Sequence, residues 1–324
     1  MKILIIQSKM GIGDTIIYLP FIEAISKKFN CKIDLLVKKN SKVSEFIDAS
    51  NCINKIIYLE RDNKKKGLRH NGLFGSIKLS NELKNYKFDK VFIFNSSLRY
   101  NIICRLAGIK KIYQYPLFKK KNQHIIEAAK NFIYKSINEN IKSEPVLNIE
   151  STKRNEAKSK YKINHNKLNI LLGTGGSGKN KIIPSETYVS FMMKCTKDYD
   201  CRFFLASGDS NLENNILDDL TSDKYNFDCT KLNKLSIKQT LSVIKNCSIA
   251  ICNDTSFSHI SAALGLETIV LIADTSILYG SYSSKMHPVL AEKNDEHLHP
   301  REKIDPDKIY NKFKEITSKL NFSK

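Results

Sequence analysis

The feature that most limits the fold is an alternation of strand and helix patterns that runs through the chain twice. The apolar run KILIIQS (2–8) passes through a glycine-rich turn into a helical pattern, TIIYLPFIEAISKKF (15–29). Strand patterns KIDLLVK (32–38), KIIYLE (55–60), KVFIFN (90–95) and KKIYQY (110–115) follow, with helical spacing at 41–49, 75–86, 98–107 and 122–138. Unbroken apolar strands separated by helices predict a parallel sheet covered on both faces. A polar, lysine-rich stretch (143–167) interrupts the pattern, with a short helix expected at 151–161. The alternation then restarts. Strands are expected at 168–173, 202–207, 248–253 and 267–273, and helices at 185–199, 211–220, 236–246 and 256–265. A last amphipathic helix (305–320) carries Asp305 as N-cap and Pro306 at its first position. The expectation is an α/β chain of two Rossmann-like, doubly wound parallel-sheet domains, 1–150 and 151–324, facing a cleft. Such sheets bind ligands outside the carboxyl ends of their strands.

Composition narrows the class of protein. The chain has 324 residues, 41% of them hydrophobic, which allows two domains with sizeable cores and argues against global disorder. No run of about 18 apolar residues is present, so no spanning helix is expected. The opening run is too short for a signal peptide and lacks a small-residue cleavage site, so a cytoplasmic protein is expected. Eight cysteines without a C-x-x-C pair read as reduced small hydrophobes, with neither zinc site nor disulfide framework. The net charge of +20 has two readings. One is lysine-rich composition alone; the other is an acidic partner such as nucleic acid, anionic lipid or a phosphorylated substrate. The basic runs at 61–70 and 117–124 show no interleaved stacking pattern of aromatics, which makes nucleic acid the weaker choice.

Three loops carry the candidate chemistry. In KMGIGD (9–14), Gly11 and Gly13 permit a tight strand-to-helix turn, and Asp14 lands at the start of the helix. Asp14 is either an N-cap, stabilising by roughly 1 kcal/mol, or a carboxylate placed to take a proton from an acceptor hydroxyl. In ICNDTSFSHISAALG (251–265), Asp254 or Thr255 caps a helix whose first-turn amides are open to a diphosphate. His259 sits one turn in, either as a phosphate donor or as an ordinary histidine in a capped helix. In LLGTGGSGKNK (171–181), Gly173 to Lys179 spells the G-x-x-x-x-G-K of a P-loop, but Asn180 replaces the Ser or Thr that would hold Mg²⁺. Pro184 also forces Ile183 to be extended and puts the helix start at Ser185, as N-cap. The loop therefore reads as a phosphate loop of another kind, using Ser177, Lys179, Lys181 and backbone amides.

Together these stretches resemble glycosyltransferase family 9, the ADP-heptose:lipopolysaccharide heptosyltransferases. KILIIQSKMGIGDTIIYLPFIEAI resembles the family's opening strand, its G-D pair and the proline-containing helix after it. NDTSFSHISAALG resembles the N-D-T-G-x-x-H-x-A-A-A signature, GTGGSGKNKIIPSETYVSF the lysine loop, and FFLASGDSNLENNI the strand, glycine and acidic residue that follow. The resemblance implies a GT-B fold, with the acceptor on the N-terminal domain and the nucleotide-sugar on the C-terminal one. It implies Asp14 as catalytic base for an inverting transfer, with Gly11 and Gly13 in the acceptor-side loop. Lys181 would neutralise the leaving diphosphate beside Ser177. Asp254, Thr255, Ser256 and His259 would hold that diphosphate, and Glu213 would contact the ribose. No cofactor is implied beyond the donor, for which ADP-heptose is the expectation. With no metal-binding D-x-D in these loops, developing charge would fall to lysine, helix dipole and amides.

The implied acceptor is a lipopolysaccharide core or related anionic glycolipid. Arg61, Lys64, Lys65, Lys66 and Arg69, with Lys119, Lys120 and Lys121, would attract it and the inner membrane peripherally, more weakly as salt rises. The chain departs from the pattern at Ser256, where the family has Gly, and at Ile183, where Trp is common. It also reads ADTS and GSYSS where the family shows G-P-T and G-P-Y-G. These departures bear on the donor's sugar and base. A GT-B-fold sugar-nucleotide epimerase and a non-catalytic nucleotide-sugar-binding protein stay open as alternatives. His287, His297 and His299 read as a solvated loop rather than a metal site.

Overall fold

A computed structural model describes the chain apart from residues 9, 10, 47, 49, 63–66, 117–124, 177, 293–298 and 321–324. It divides into two compact units, Met1–Pro145 and Val146–Lys324.

The first unit runs β1 (Ile3–Gln7), α1 (Ile12–Phe29), β2 (Ile33–Val37), β3 (Ile53–Tyr58), α2 (Gly72–Lys84), β4 (Lys90–Ile93), α3 (Leu98–Leu106), β5 (Lys111–Gln114) and α4 (Ile125–Ile137). The strand order is β3-β2-β1-β4-β5, and every pairing is parallel. Period-two alternation sends successive residues to opposite faces. Leu4 and Ile6 of β1 and Val91 and Ile93 of β4 pack with Leu79 and Leu83 of α2 and Tyr100 and Ile103 of α3. The intervening Phe92, and Phe94 just past the strand, turn to the other face and meet Phe132 of α4. The helix expected at 41–49 does not form as such. Two 3₁₀ turns, Lys39–Ser41 and Val43–Glu45, stand there, with Lys42 between them in the left-handed region at φ 47°. A non-glycine residue in that conformation breaks the i→i−4 ladder.

The second unit runs α5 (Ser151–Lys160), β6 (Leu168–Gly173), α6 (Ser185–Asp198), β7 (Cys201–Ala206), α7 (Asn211–Leu220), β8 (Cys229–Lys231), α8 (Ile237–Ile244), β9 (Ile249–Asn253), α9 (Ser256–Ala263), β10 (Glu267–Ile272), β11 (Met286–Leu290) and α10 (Pro306–Lys319). Its parallel sheet has the order β11-β10-β9-β6-β7-β8. The two edge strands were not expected. β8 has only three residues, and β11 contains Pro288, which an edge strand tolerates because its free side needs no N–H. His287 consequently lies on a strand and not in a solvated loop, with Nε2 2.7 Å from Glu267 Oε2. His299 caps a short 3₁₀ turn, Pro300–Lys303, and His297 lies outside the described residues. Asp305 caps α10 through the Asp307 amide at 2.8 Å, with Pro306 as the first helical residue.

The non-consecutive pairings position the site. β6 lies between β7 and β9, so the loops leaving all three strands emerge side by side at one edge of the sheet.

Candidate functional site

In the first unit, the loop after β1 delivers Asp14 into the first turn of α1. Gly11, not Asp14, is the N-cap, because the helix begins earlier than 15. Asp14 is the third helical residue, and its Oδ2 accepts the Gly11 N–H at 3.3 Å. Gly13 is the second helical residue, so it belongs to the helix and Gly11 to the turn before it. One carboxylate oxygen of Asp14 is thus oriented by the backbone and the side chain stays half-buried. Nearby, Gln7 at the end of β1 is fully buried, and neither its Oε1 nor its Nε2 has a hydrogen-bond partner among the described residues.

Of the basic residues expected to serve this side, Lys64–Lys66 and Lys119–Lys121 lie outside the described residues. Arg69 is paired with Glu82 at 2.7 Å. Glu82 also faces the buried His70, whose Nδ1 accepts the Glu60 N–H at 3.0 Å, leaving Nε2 to carry the proton. A recess of about 750 Å³ lined by Lys84, Lys87, Lys90, Lys110 and Lys111 lies at the opposite, amino-terminal edge of this sheet, away from Asp14.

In the second unit, three loops converge. After β6 the chain makes no P-loop helix. Lys179–Lys181 is a single 3₁₀ turn, and α6 starts only at Ser185, as Pro184 dictates. Pro184 is itself the N-cap, at φ −57° and ψ 150°, so Ser185 is the first helical residue and donates to Asp219 Oδ2 at 2.6 Å. Lys179 is exposed, whereas Lys181 turns inward and its Nζ meets Asp254 Oδ2 at 2.7 Å. Asp254 itself is only 5% exposed. Ser177 lies outside the described residues.

Thr255 is the N-cap of α9, but neither it nor Asp254 caps the helix through its side chain. The Thr255 hydroxyl is buried and has no partner among the described residues, and the first-turn amides of α9, beginning at the half-buried Ser256, have no intrahelical acceptor. One turn in, His259 is buried, with Nδ1 3.0 Å from the Tyr282 hydroxyl. Burial pulls its pKa from 6.5 to about 4; the Asp254 carboxylate opposes the shift and the Lys181 ammonium adds to it. His259 is therefore a neutral imidazole near pH 7, with one nitrogen engaged by Tyr282.

Glu213 holds the third loop. It is the third residue of α7 and closes a capping box with Ser210. Its carboxylate accepts from the Gly208 amide at 2.9 Å, the Gly176 amide at 3.2 Å, and the Ser210 amide and hydroxyl at 3.1 and 2.6 Å. Burial alone would raise its pKa, but these four donors outweigh it and hold the carboxyl below its ordinary value. Glycine is required around it. A Cβ on Gly175 or Gly208 would stand 2.7 or 2.6 Å from a Glu213 oxygen.

A family model described as glycosyltransferase family 9 (heptosyltransferase) matches residues 76–308, well over half of the chain and all three of these loops. The chain belongs to glycosyltransferase family 9. No curated protein matches the sequence. Among solved structures, a family 9 glycosyl transferase from Veillonella parvula aligns at TM-score 0.78 and 16% identity, over 97% of this chain and 96% of its own. The ADP-heptose LPS heptosyltransferase II of E. coli aligns at 0.76 and 16%, over 99% of both chains. The E. coli heptosyltransferase WaaC, solved with ADP, aligns at 0.72 and 16%, over 97% and 99%. The shared fold, two parallel-sheet α/β units, is the GT-B architecture. Membership in a transferase family disfavours the epimerase reading.

This family 9 chain also uses residues that sequence reasoning left without a role. Asn253 is fully buried at the end of β9. Its Nδ2 donates to the carbonyls of Thr174 and Gly175 at 2.8 and 3.1 Å, and its Oδ1 accepts from the Tyr188 hydroxyl at 2.6 Å. It pins the glycine loop to the α9 turn. A polar residue closing the apolar run SIAICN was the available signal. Tyr188 and Tyr282 had none, since their partners are 65 and 23 residues away in sequence. Among the described residues, no helix is long and apolar enough to cross a membrane, and no group of three or more His, Cys, Asp or Glu could hold a metal ion.

Proposed function

We propose that the chain is an inverting glycosyltransferase that moves a sugar, heptose from ADP-heptose, onto a hydroxyl of a lipopolysaccharide core or related anionic glycolipid. The observation that carries the reading is the convergence at the β9–α9 turn. A lysine paired with a buried aspartate, a threonine hydroxyl unpartnered among the described residues, free helix amides and a neutral histidine stand there together.

Asp254 holds the Lys181 ammonium at this turn, and the remaining N–H groups of that ammonium donate to the diphosphate. The α9 amides at Ser256 and beyond, the Thr255 hydroxyl and one imidazole N–H of His259 share its charge as the bond to the anomeric carbon breaks. The acceptor oxygen attacks that carbon from the face opposite the leaving group, and Asp14 takes the hydroxyl proton. The products are the inverted glycoside and a nucleoside diphosphate. Asp14 precedes the segment matched by the family model, so its role rests on its place in the first turn of α1, after β1, and on its oriented carboxylate. On this reading Glu213 reaches the ribose only through the loops it holds. The acceptor's negative charge, and that of an inner-membrane leaflet, complement the chain's net +20. No further cofactor and no nucleic acid enters the reaction.

A thermal-shift panel of ADP-, UDP-, GDP- and TDP-sugars, followed by transfer assays on glycolipid acceptors, tests the proposal. Stabilisation by an ADP-sugar is expected, since a bound donor stabilises by mass action. Asp14→Asn should lower kcat by about 10²–10⁴ with little change in melting temperature. Undiminished transfer by that variant removes Asp14 as base. Binding without transfer to any acceptor would leave a nucleotide-sugar-binding protein.

A further inference from the structure

Two helices of the first unit carry large apolar side chains on the face turned away from the core. Leu73 and Phe74, at the start of α2, are 76% and 86% exposed, and Ile77 follows one turn later. On α3, Leu98, Ile102 and Leu106 recur every fourth residue, and all three are exposed. The core arcs of the helices are different: Leu79 and Leu83 on α2, Tyr100 and Ile103 on α3. Contiguous exposed apolar surface on a soluble chain marks an interaction site. The two amino ends are tied together. Arg99 donates through Nη1 to the Gly72 carbonyl at 2.9 Å and through Nη2 to the His70 carbonyl, so the outward arcs of α2 and α3 lie side by side.

Charge identifies the occupant. Apart from Arg99, committed to those carbonyls, the two helices carry Lys78, Lys84 and Arg105 against one carboxylate, Glu82, which is already paired with Arg69. A second copy of the chain docking by two-fold symmetry would bring these cations against themselves. A surface of uniform negative charge above an apolar layer complements both features at once.

We propose that the outward faces of α2 and α3 dock on an anionic lipid bilayer, with Leu73, Phe74 and Ile77 inserted at the headgroup boundary and the exposed Lys78 beside them on the phosphates. The proposal rests on the membrane contact in the reading above and names the face that makes it. Its test uses vesicles without donor or acceptor, so its failure leaves transfer untouched, and failure of transfer leaves it untouched.

The chain has no tryptophan, so Phe74→Trp introduces a single indole reporter. On phosphatidylglycerol-containing vesicles its emission should shift to the blue and be quenched by lipids brominated in the acyl chains, with no response on pure phosphatidylcholine. Met193→Trp, at an exposed position of α6 in the second unit, should show neither effect. In flotation assays, the double variant Leu73→Ser/Phe74→Ser should lose about tenfold or more of the wild-type partitioning, with its melting temperature confirming the fold. Any of three results overturns the proposal. The wild type fails to float with anionic vesicles, the double variant floats as well as the wild type, or the indole emission of the Phe74→Trp variant shifts on self-association without lipid.

Discussion

Replacing Glu213 by alanine removes one acceptor group on which four donors from two loops converge. The amides of Gly176 and Gly208 lose their described partner, and the capping box of α7 opens. Hydrogen bonds to a charged group are worth about 1.5–3 kcal/mol each in net terms. The four share one carboxylate, and water can reach some of the released donors, so the total loss should be about 2–4 kcal/mol. A unit of this size loses roughly 2–4 °C per kcal/mol, which predicts a melting temperature lower by roughly 5–15 °C. Glu213→Gln keeps one oxygen for the two glycine amides but turns an NH₂ group toward the Ser210 amide, for an expected loss of roughly 1–2 kcal/mol. Differential scanning fluorimetry with and without nucleoside diphosphate, paired with isothermal titration, separates buttressing from direct contact. If Glu213→Ala melts within about a degree of wild type, the buttress argument is wrong. A weakened nucleotide affinity in Glu213→Gln with an unchanged melting temperature would instead assign the carboxylate to the ribose. The sign in acid follows from the lowered pKa. The contribution of Glu213 is complete above the ordinary carboxyl value of 4.5 and is lost as pH falls through the folded-state pKa.

Two further perturbations probe the α9 turn. Lys181→Met leaves the buried Asp254 without its cation, which should cost about 1–3 kcal/mol, discounted because Lys181 is partly solvated. Its nucleoside-diphosphate Kd should rise about 10- to 100-fold, and an unchanged Kd in calorimetry would take Lys181 out of the donor site. For His259, the folded pKa lies near 4 against 6.5. The unfolded chain therefore binds the extra proton first, and this contribution, full above pH 6.5, fades by roughly 3 kcal/mol between pH 6.5 and 4. His259→Gln should flatten that limb relative to wild type in urea melts; parallel limbs would show that the imidazole is protonated in the folded protein.

Most of the secondary structure was legible because each element is written locally. Apolar runs four to seven residues long mark the central strands, Pro184 dictates where α6 begins, and Asp305–Pro306 dictates where α10 does. The failures have physical causes. Lys42 adopts a left-handed backbone that no periodicity reports, β8 is too short to show a pattern, and β11 contains the Pro288 that argues against a strand. Candidate residues were legible for the same local reason: Asp14, Asp254 and His259 each stand within a few positions of a strand end and a helix start.

What each of those residues meets was decided by the tertiary structure. Lys181 finds Asp254 across 73 residues and Asn253 finds Thr174 across 79, because β6 pairs with β9 rather than with its chain neighbour alone. The same arrangement brings Glu213 onto the glycine loop from beyond β7. The helical spacing of Leu98, Ile102 and Leu106 would read equally well as a core stripe. Only the packing of α2 and α3 on β1 and β4 shows that the core lies on the opposite arc. Sequence alone determined most of the stretches that become strands, turns and helices, the edge strands β8 and β11 and the 3₁₀ turns around Lys42 excepted, since that depends chiefly on neighbours along the chain. The order of the strands decided which loops share a site and which apolar face is left to solvent, since those depend on contacts the chain makes only once folded.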